Sequence, residues 1–232
     1  MKKFLAIAAL TSTLIAAPAF AGTFATFSQQ NTPPKSITWD NLGGSSATMT
    51  GSGLYDFKFL PSAFGGALDP ALTVFQDANF SLSATASTPA GQSGNVIEQL
   101  VDSGTISFTR VTPLNGLTNL LTITFTNAYL WGPISTTGLN LVSDTTIGTV
   151  NFSSDFVNFG NSNPLDYGFN FSLQGVSPLV NYGPQQLLRD FTADASGLAA
   201  VPEPATWAMM IIGFAGLGSA LRSNRRRLAT AA

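Results

Sequence analysis

The chain has 232 residues, 44% of them hydrophobic and only 9% charged, with a formal net charge of −2 and neither cysteine nor histidine. The two missing residue types exclude disulfides, imidazole bases, Ser-His-Asp and Cys-His nucleophiles, and zinc held by nitrogen or sulfur. Between residues 22 and 200, four cations face eleven carboxylates, a net of −7 that gives a nucleic-acid backbone nothing to bind.

In chain order, the first element is MKKFLAIAALTSTLIAAPAFAG. Lys2 and Lys3, an apolar run over residues 4–17, the helix-breaking Pro18 and the small Ala19 and Ala21 have the form of a secretory signal helix. The apolar run is shorter than the ~20 residues of a membrane span. Residues 1–21 are therefore expected to be removed by signal peptidase before Gly22.

Residues 22–200 read as one domain with its own core. In LYDFKFL (54–60), Tyr55, Phe57 and Phe59 alternate with Leu54, Asp56 and Lys58, the period of a half-buried strand. LLTITFTNAYLW (120–131) repeats the pattern, with Leu121, Ile123 and Phe125 on one side and Thr122, Thr124 and Thr126 on the other. SITWD, LTVFQ, NFSLSATAS, GTISFTRV, TIGTVNFS, YGFNFSLQ and LLRDFTADAS are further expected strands, separated by turn-rich stretches at 41–44, 88–94 and 161–164. Asn-Phe-Ser recurs at 79–81, 151–153 and 170–172 without a fixed period, and reads as three strands that each bury a Phe. NVIEQLVD (95–102) and residues 184–189 are expected to form short helical turns. Many short strands with frequent turns predict an all-β domain, an antiparallel β-sandwich of jelly-roll-like form.

Several constellations in this domain carry chemistry in other settings. Asp155, Asn158, Asn161, Asn163 and Asp166 offer oxygen ligands to calcium, but their spacing matches no EF-hand loop and turn-rich stretches favour these residues anyway. Glu98 and Asp102 form the nearest approach to a glycosidase carboxylate pair, and the acidic face of a helical turn explains them as well. The threonine ladder at 122, 124 and 126 suits sugar hydroxyls or simply a solvent-facing strand. No catalytic residue, metal ligand or cofactor site is assigned, and the chain is not expected to be an enzyme. The exterior must be largely Ser, Thr, Asn, Gln and Gly, which suits hydroxyl-rich surroundings and leaves sheet edges without their usual lysines. Trp39, Tyr129 and Trp131 are the aromatic candidates for contact with a sugar.

The last element is residues 201–232, VPEPATWAMMIIGFAGLGSALRSNRRRLATAA. Pro202 and Pro204 forbid continuous helix or ladder and leave accessible, extended backbone. The uncharged stretch over residues 207–221 spans roughly 22 Å as a helix, a marginal transmembrane segment. Gly213, Gly216 and Gly218 fit the small residues of such a helix. Arg222, Arg225, Arg226 and Arg227 place its C-terminal end in the cytoplasm by the positive-inside rule.

Pro202-Glu203-Pro204, Trp207-Ala208, a Gly-rich apolar helix and a terminal arginine cluster together resemble the PEP-CTERM sorting signal, in its PEPxxWA variant. The resemblance implies recognition by an exosortase-type membrane enzyme that cleaves near the Pro-Glu-Pro, with Pro202, Glu203, Pro204, Trp207 and Ala208 as recognition positions. It also implies an exported protein, first anchored in the inner membrane through the C-terminal helix and then placed on the cell surface or secreted, in a setting often associated with extracellular polysaccharide. The sequence is accordingly read as a cell-surface or extracellular-matrix structural protein. The alternative is an extracellular carbohydrate-binding module associated with exopolysaccharide.

Overall fold

The computed structural model describes residues 22–201 except 31–33, 44–45, 62–67, 145, 160–166 and 184–185. In chain order its strands are β1 (Gly22–Gln29), β2 (Ile37–Gly43), β3 (Ser46–Phe59), β4 (Gln76–Ala86), β5 (Gly91–Ser93), β6 (Val96–Leu114), β7 (Leu117–Pro133), β8 (Leu139–Asp144), β9 (Thr149–Ser153), β10 (Gly168–Ser177) and β11 (Phe191–Val201). All pair antiparallel within one sheet, and the order β6-β4-β3-β1-β11-β10-β8-β7 returns to β6, closing an eight-strand barrel. Three of its staves are split into two collinear segments: β1 and β2 run in succession beside β3, β4 and β5 beside β6, and β8 and β9 beside β7.

The all-β, antiparallel expectation holds, but the two packed sheets of a jelly-roll sandwich give way to one continuous sheet. The reason lies in strand length: β3, β6 and β7 have 14, 19 and 17 residues, enough for twisted strands to wrap until first and last pair. Closure also removes most of the edges on which edge-to-edge association would depend. Among the described residues only β5 and β9, of three and five residues, have a strand on one side alone.

The alternating side chains fill the interior. Tyr55, Phe57 and Phe59 of β3 are all fully buried, as are Leu121 and Ile123 of β7, with Phe125 beside them. All three Asn-Phe-Ser phenylalanines, Phe80, Phe152 and Phe171, are buried too. Phe108 of β6 is the hub, its ring centroid 4.5 Å from Phe27 of β1, 5.2 Å from Phe57, 5.4 Å from Phe80 and 6.3 Å from Phe171 of β10. These partners lie up to three strands away around the eight-strand ring, so the contacts cross the lumen. Room for the rings comes from small neighbours. A side chain at Gly104 would sit 2.4 Å from the Phe125 ring, and one at Gly197 would sit 2.5 Å from Phe27.

Two hairpins close on turns that glycine and asparagine permit. Asn115-Gly116, both at positive φ, joins β6 to β7 with Leu114 opposite Leu117. Gly94, at φ +61°, opens the two-residue turn from β5 to β6. Two local expectations fail. Residues 96–102 belong to β6 rather than a helical turn, because Gln99 faces inward in the strand period between Ile97 and Val101. LTVFQ (72–76) is no strand of its own: Leu72 lies in a 3-10 turn (Pro70–Leu72), Phe75 is exposed, and only Gln76 belongs to a strand, as the first residue of β4. Of residues 184–189, Gln186 lies in a 3-10 turn as expected, and Leu188 forms an isolated bridge with Tyr182.

Each barrel end is covered. The described residues of 178–190 fold over the end where β11 begins, burying Val180, Leu187 and Leu188. Fully buried Gln99 ties them down: its amide donates to Thr88 O (2.8 Å) and its carbonyl accepts from Leu188 N (3.3 Å). Trp39 Nε1 donates to Leu188 O at 3.1 Å. At the opposite end β1 starts beside the finish of β11, Gly22 opposite Val201, over Phe24, Phe59, Phe152, Phe159 and Tyr167. The Tyr167 hydroxyl donates to Phe159 O at 2.9 Å.

The expected signal helix and C-terminal membrane helix lie at 1–21 and 202–232, outside the described residues. Among the described residues no helix is long and apolar enough to cross a membrane. The barrel wall is apolar inside and rich in Ser, Thr and Asn outside, the inverse of the lipid-facing pattern of a membrane barrel.

Candidate functional site

The three aromatic candidates part company in the fold. Trp39 is fully buried, stacked on Phe191 with centroids 6.2 Å apart, and so cannot meet a ligand. Tyr129 and Trp131 point outward from β7, two residues apart, and are 38% and 37% exposed. The strand period puts them on the same face, roughly 7 Å apart along the strand.

The register shows what surrounds them. Trp131 lies opposite Glu98 of β6 and Asn140 of β8, and the row continues through Ser172 of β10, Ser196 of β11 and Ser28 of β1. A parallel row runs Leu100, Tyr129, Val142, Asn170, Leu198, Thr26. Neighbouring strands are about 4.8 Å apart, so the first row presents hydroxyls and amides at nearly regular intervals beside Trp131, while the row of Tyr129 is mainly apolar with Asn170 as its exposed amide. Asn140, Asn170, Ser172, Ser196 and Leu198 line a shallow groove of about 330 Å³ whose floor is Gly197 and the Phe27 ring. Glu98 is the one carboxylate in either row, and neither row holds a cation. Such a face can stack apolar ring faces and hydrogen-bond hydroxyls, and it favours uncharged ligands. Sequence reasoning missed Asn140, Asn170, Ser172 and Ser196, since only register places them beside Trp131.

The other candidates serve the fold. Asp155 Oδ2 accepts from the backbone of Thr118 (3.0 Å) and Asn119 (2.8 Å), clamping the start of β7. Asn161, Asn163 and Asp166 lie outside the described residues, and among those described no three acidic side chains converge as a metal site would need. Glu98 and Asp102 stand on one strand four residues apart, about 13 Å, beyond the spacing of either glycosidase geometry. Thr124 and Thr126 face outward, with Thr126 hydroxyl-bonded to Thr149 at 2.8 Å.

The one buried phenol with a displaced titration, Tyr55, is structural. Burial pushes its hydroxyl well above the ordinary value of 10.0, against a smaller opposing effect of the 2.7 Å bond to Ser36. Ser36 in turn donates to Gln29 Oε1 at 2.7 Å, bridging the break between β1 and β2.

Residues 200–227 match the model of the PEP-CTERM protein-sorting motif. The match includes Pro202, Glu203, Pro204, Trp207 and Ala208 and the arginines at 222, 225, 226 and 227. These positions, like Ala19 and Ala21 of the expected signal cleavage site, lie outside the described residues. No curated protein and no solved structure matches the chain.

Proposed function

We propose that this carrier of a PEP-CTERM motif is an exported surface or matrix structural protein: a β-barrel delivered through the membrane, held there by residues 207–221, and processed near Pro202-Glu203-Pro204 by an exosortase-type enzyme. The motif match at 200–227 carries this reading. Signal peptidase removes residues 1–21, leaving residues 22–200 as the working body, and the tail residues serve as substrate with no catalytic part. A body with no disulfide, a ring-filled core and both ends covered suits service outside the cell, where it must keep its fold unaided.

The test is genetic. In cells that hold the sorting enzyme, Glu203→Ala or Trp207→Ala should leave a longer, membrane-bound form, while the parent chain yields a shorter one. Equal processing of all three would overturn the sorting assignment.

A second reading, a carbohydrate-binding module associated with exopolysaccharide, is favoured by the outward Tyr129 and Trp131 beside the Asn140 groove. The low charge of that face points to a neutral polysaccharide as the ligand.

A further inference from the structure

We propose that the barrel end at which β11 stops is a lipid-docking rim, which rests on the membrane surface while the C-terminal segment still anchors the chain. The inference goes beyond the sorting assignment and rests on its anchored intermediate.

Four large apolar side chains are exposed at this end: Val74 (59%), Phe75 (56%), Val111 (48%) and Leu117 (42%). Antiparallel register places them together at one end of the barrel, since β4 starts, β6 ends and β7 starts where β11 finishes. Two of the four cations in residues 22–200 accompany them. Lys58 Nζ lies 4.3 Å over the Phe75 ring, and the Arg110 guanidinium reaches Gln76 Oε1. Apolar side chains flanked by long cationic ones match a bilayer interface, where the former enter the acyl boundary and the latter reach headgroup phosphates.

Chain length fixes the occupant. The apolar run begins at residue 207, six residues after Val201, the last residue of β11. Six residues reach at most about 20 Å even when fully extended, so an anchored chain cannot carry this end far from the bilayer. Pro202 and Pro204 favour an extended linker over a coiled one. Docking would hold the Pro-Glu-Pro segment at the membrane surface and turn the opposite end, near which Trp131 lies, outward.

The absence of cysteine makes the test direct. Single Leu117→Cys, Val111→Cys, Leu179→Cys and Ala215→Cys variants of the full-length chain, each carrying an NBD label, are reconstituted into phosphatidylethanolamine–phosphatidylglycerol vesicles with doxyl-lipid quenchers. Leu179 is an exposed residue (49%) in the segment covering the other barrel end. Labels at 117 and 111 should be quenched several-fold more than the label at 179, and the label at 215 should be quenched strongly. Quenching at 215 with no difference between 117, 111 and 179 would overturn the rim, including the case in which the patch is covered by a second copy of the chain. No quenching at 215 would instead remove the anchor, and the rim with it.

Discussion

Replacing Phe108 by Ala tests whether the aromatic rings share one closed interior. Phe108 is fully buried and meets Phe27, Tyr55, Phe57, Phe80 and Phe171, drawn from β1, β3, β4 and β10. A buried Phe→Ala change costs about 3–5 kcal/mol through lost transfer energy and the cavity left behind, and the rigid wall of a closed sheet keeps the value near the upper part of that range. With a urea slope of about 2 kcal/mol per molar, the equilibrium midpoint of fragment 22–201 should fall by roughly 2 M. Thr124→Ala on the outer face should shift stability by no more than about 0.5 kcal/mol. A double-mutant cycle between Phe27→Leu and Phe108→Leu adds the geometric test, because the two residues touch only across the lumen, three strands apart. A Phe108→Ala loss below about 1.5 kcal/mol, or additive energies for the Phe27–Phe108 pair, would refute the closed interior.

Gly104→Ala should destabilise by about 1–3 kcal/mol in the same assay, since its methyl would lie 2.4 Å from the Phe125 ring; a neutral effect would contradict the packing. Gln99→Leu should leave Thr88 O and Leu188 N without their bonds, and hydrogen exchange at Leu188 should accelerate by at least tenfold while core strands stay protected. Because the folded state holds the Tyr55 proton above the ordinary value of 10.0, the unfolded state loses it first. The associated stability is present in full below pH 10 and declines as pH rises beyond it, so denaturant midpoints should drop more steeply above pH 10 in the parent than in Tyr55→Phe. If the wall face binds neutral polysaccharide, Trp131→Ala should abolish retardation in affinity gels containing such a polymer with unchanged stability; unaltered retardation would remove this face as the binding site.

The strands were legible where burial follows a strict period of two. Tyr55-Phe57-Phe59, Leu121-Ile123-Phe125 and the three Asn-Phe-Ser segments place aromatics inside as alternation requires. Residues 95–102 misled because Ile97, Leu100 and Val101 also fit a helical spacing, and the inward residue that restores the strand period is polar. Gln99 is tolerated there because Thr88 and, far away in sequence, Leu188 supply its partners. Closure was illegible for a related reason: alternation tells which side chains share a face, not whether the first and last strands of the sheet meet. The Asn115-Gly116 turn is a local signal that would have joined β6 to β7 directly. The sorting tail, by contrast, was readable as a linear motif, since its recognition depends on order along the chain. Of the wall face, Tyr129 and Trp131 were found by residue type alone, while the amides and hydroxyls beside them come from four different strands.

The most direct measurement is the intact mass of the mature protein isolated from the surface or medium of cells that hold the sorting enzyme. The expected mature chain begins at Gly22 and ends close to Pro202-Glu203-Pro204, free of the arginines at 222–227. A mature surface protein that retains its C-terminus through Ala232 would contradict it.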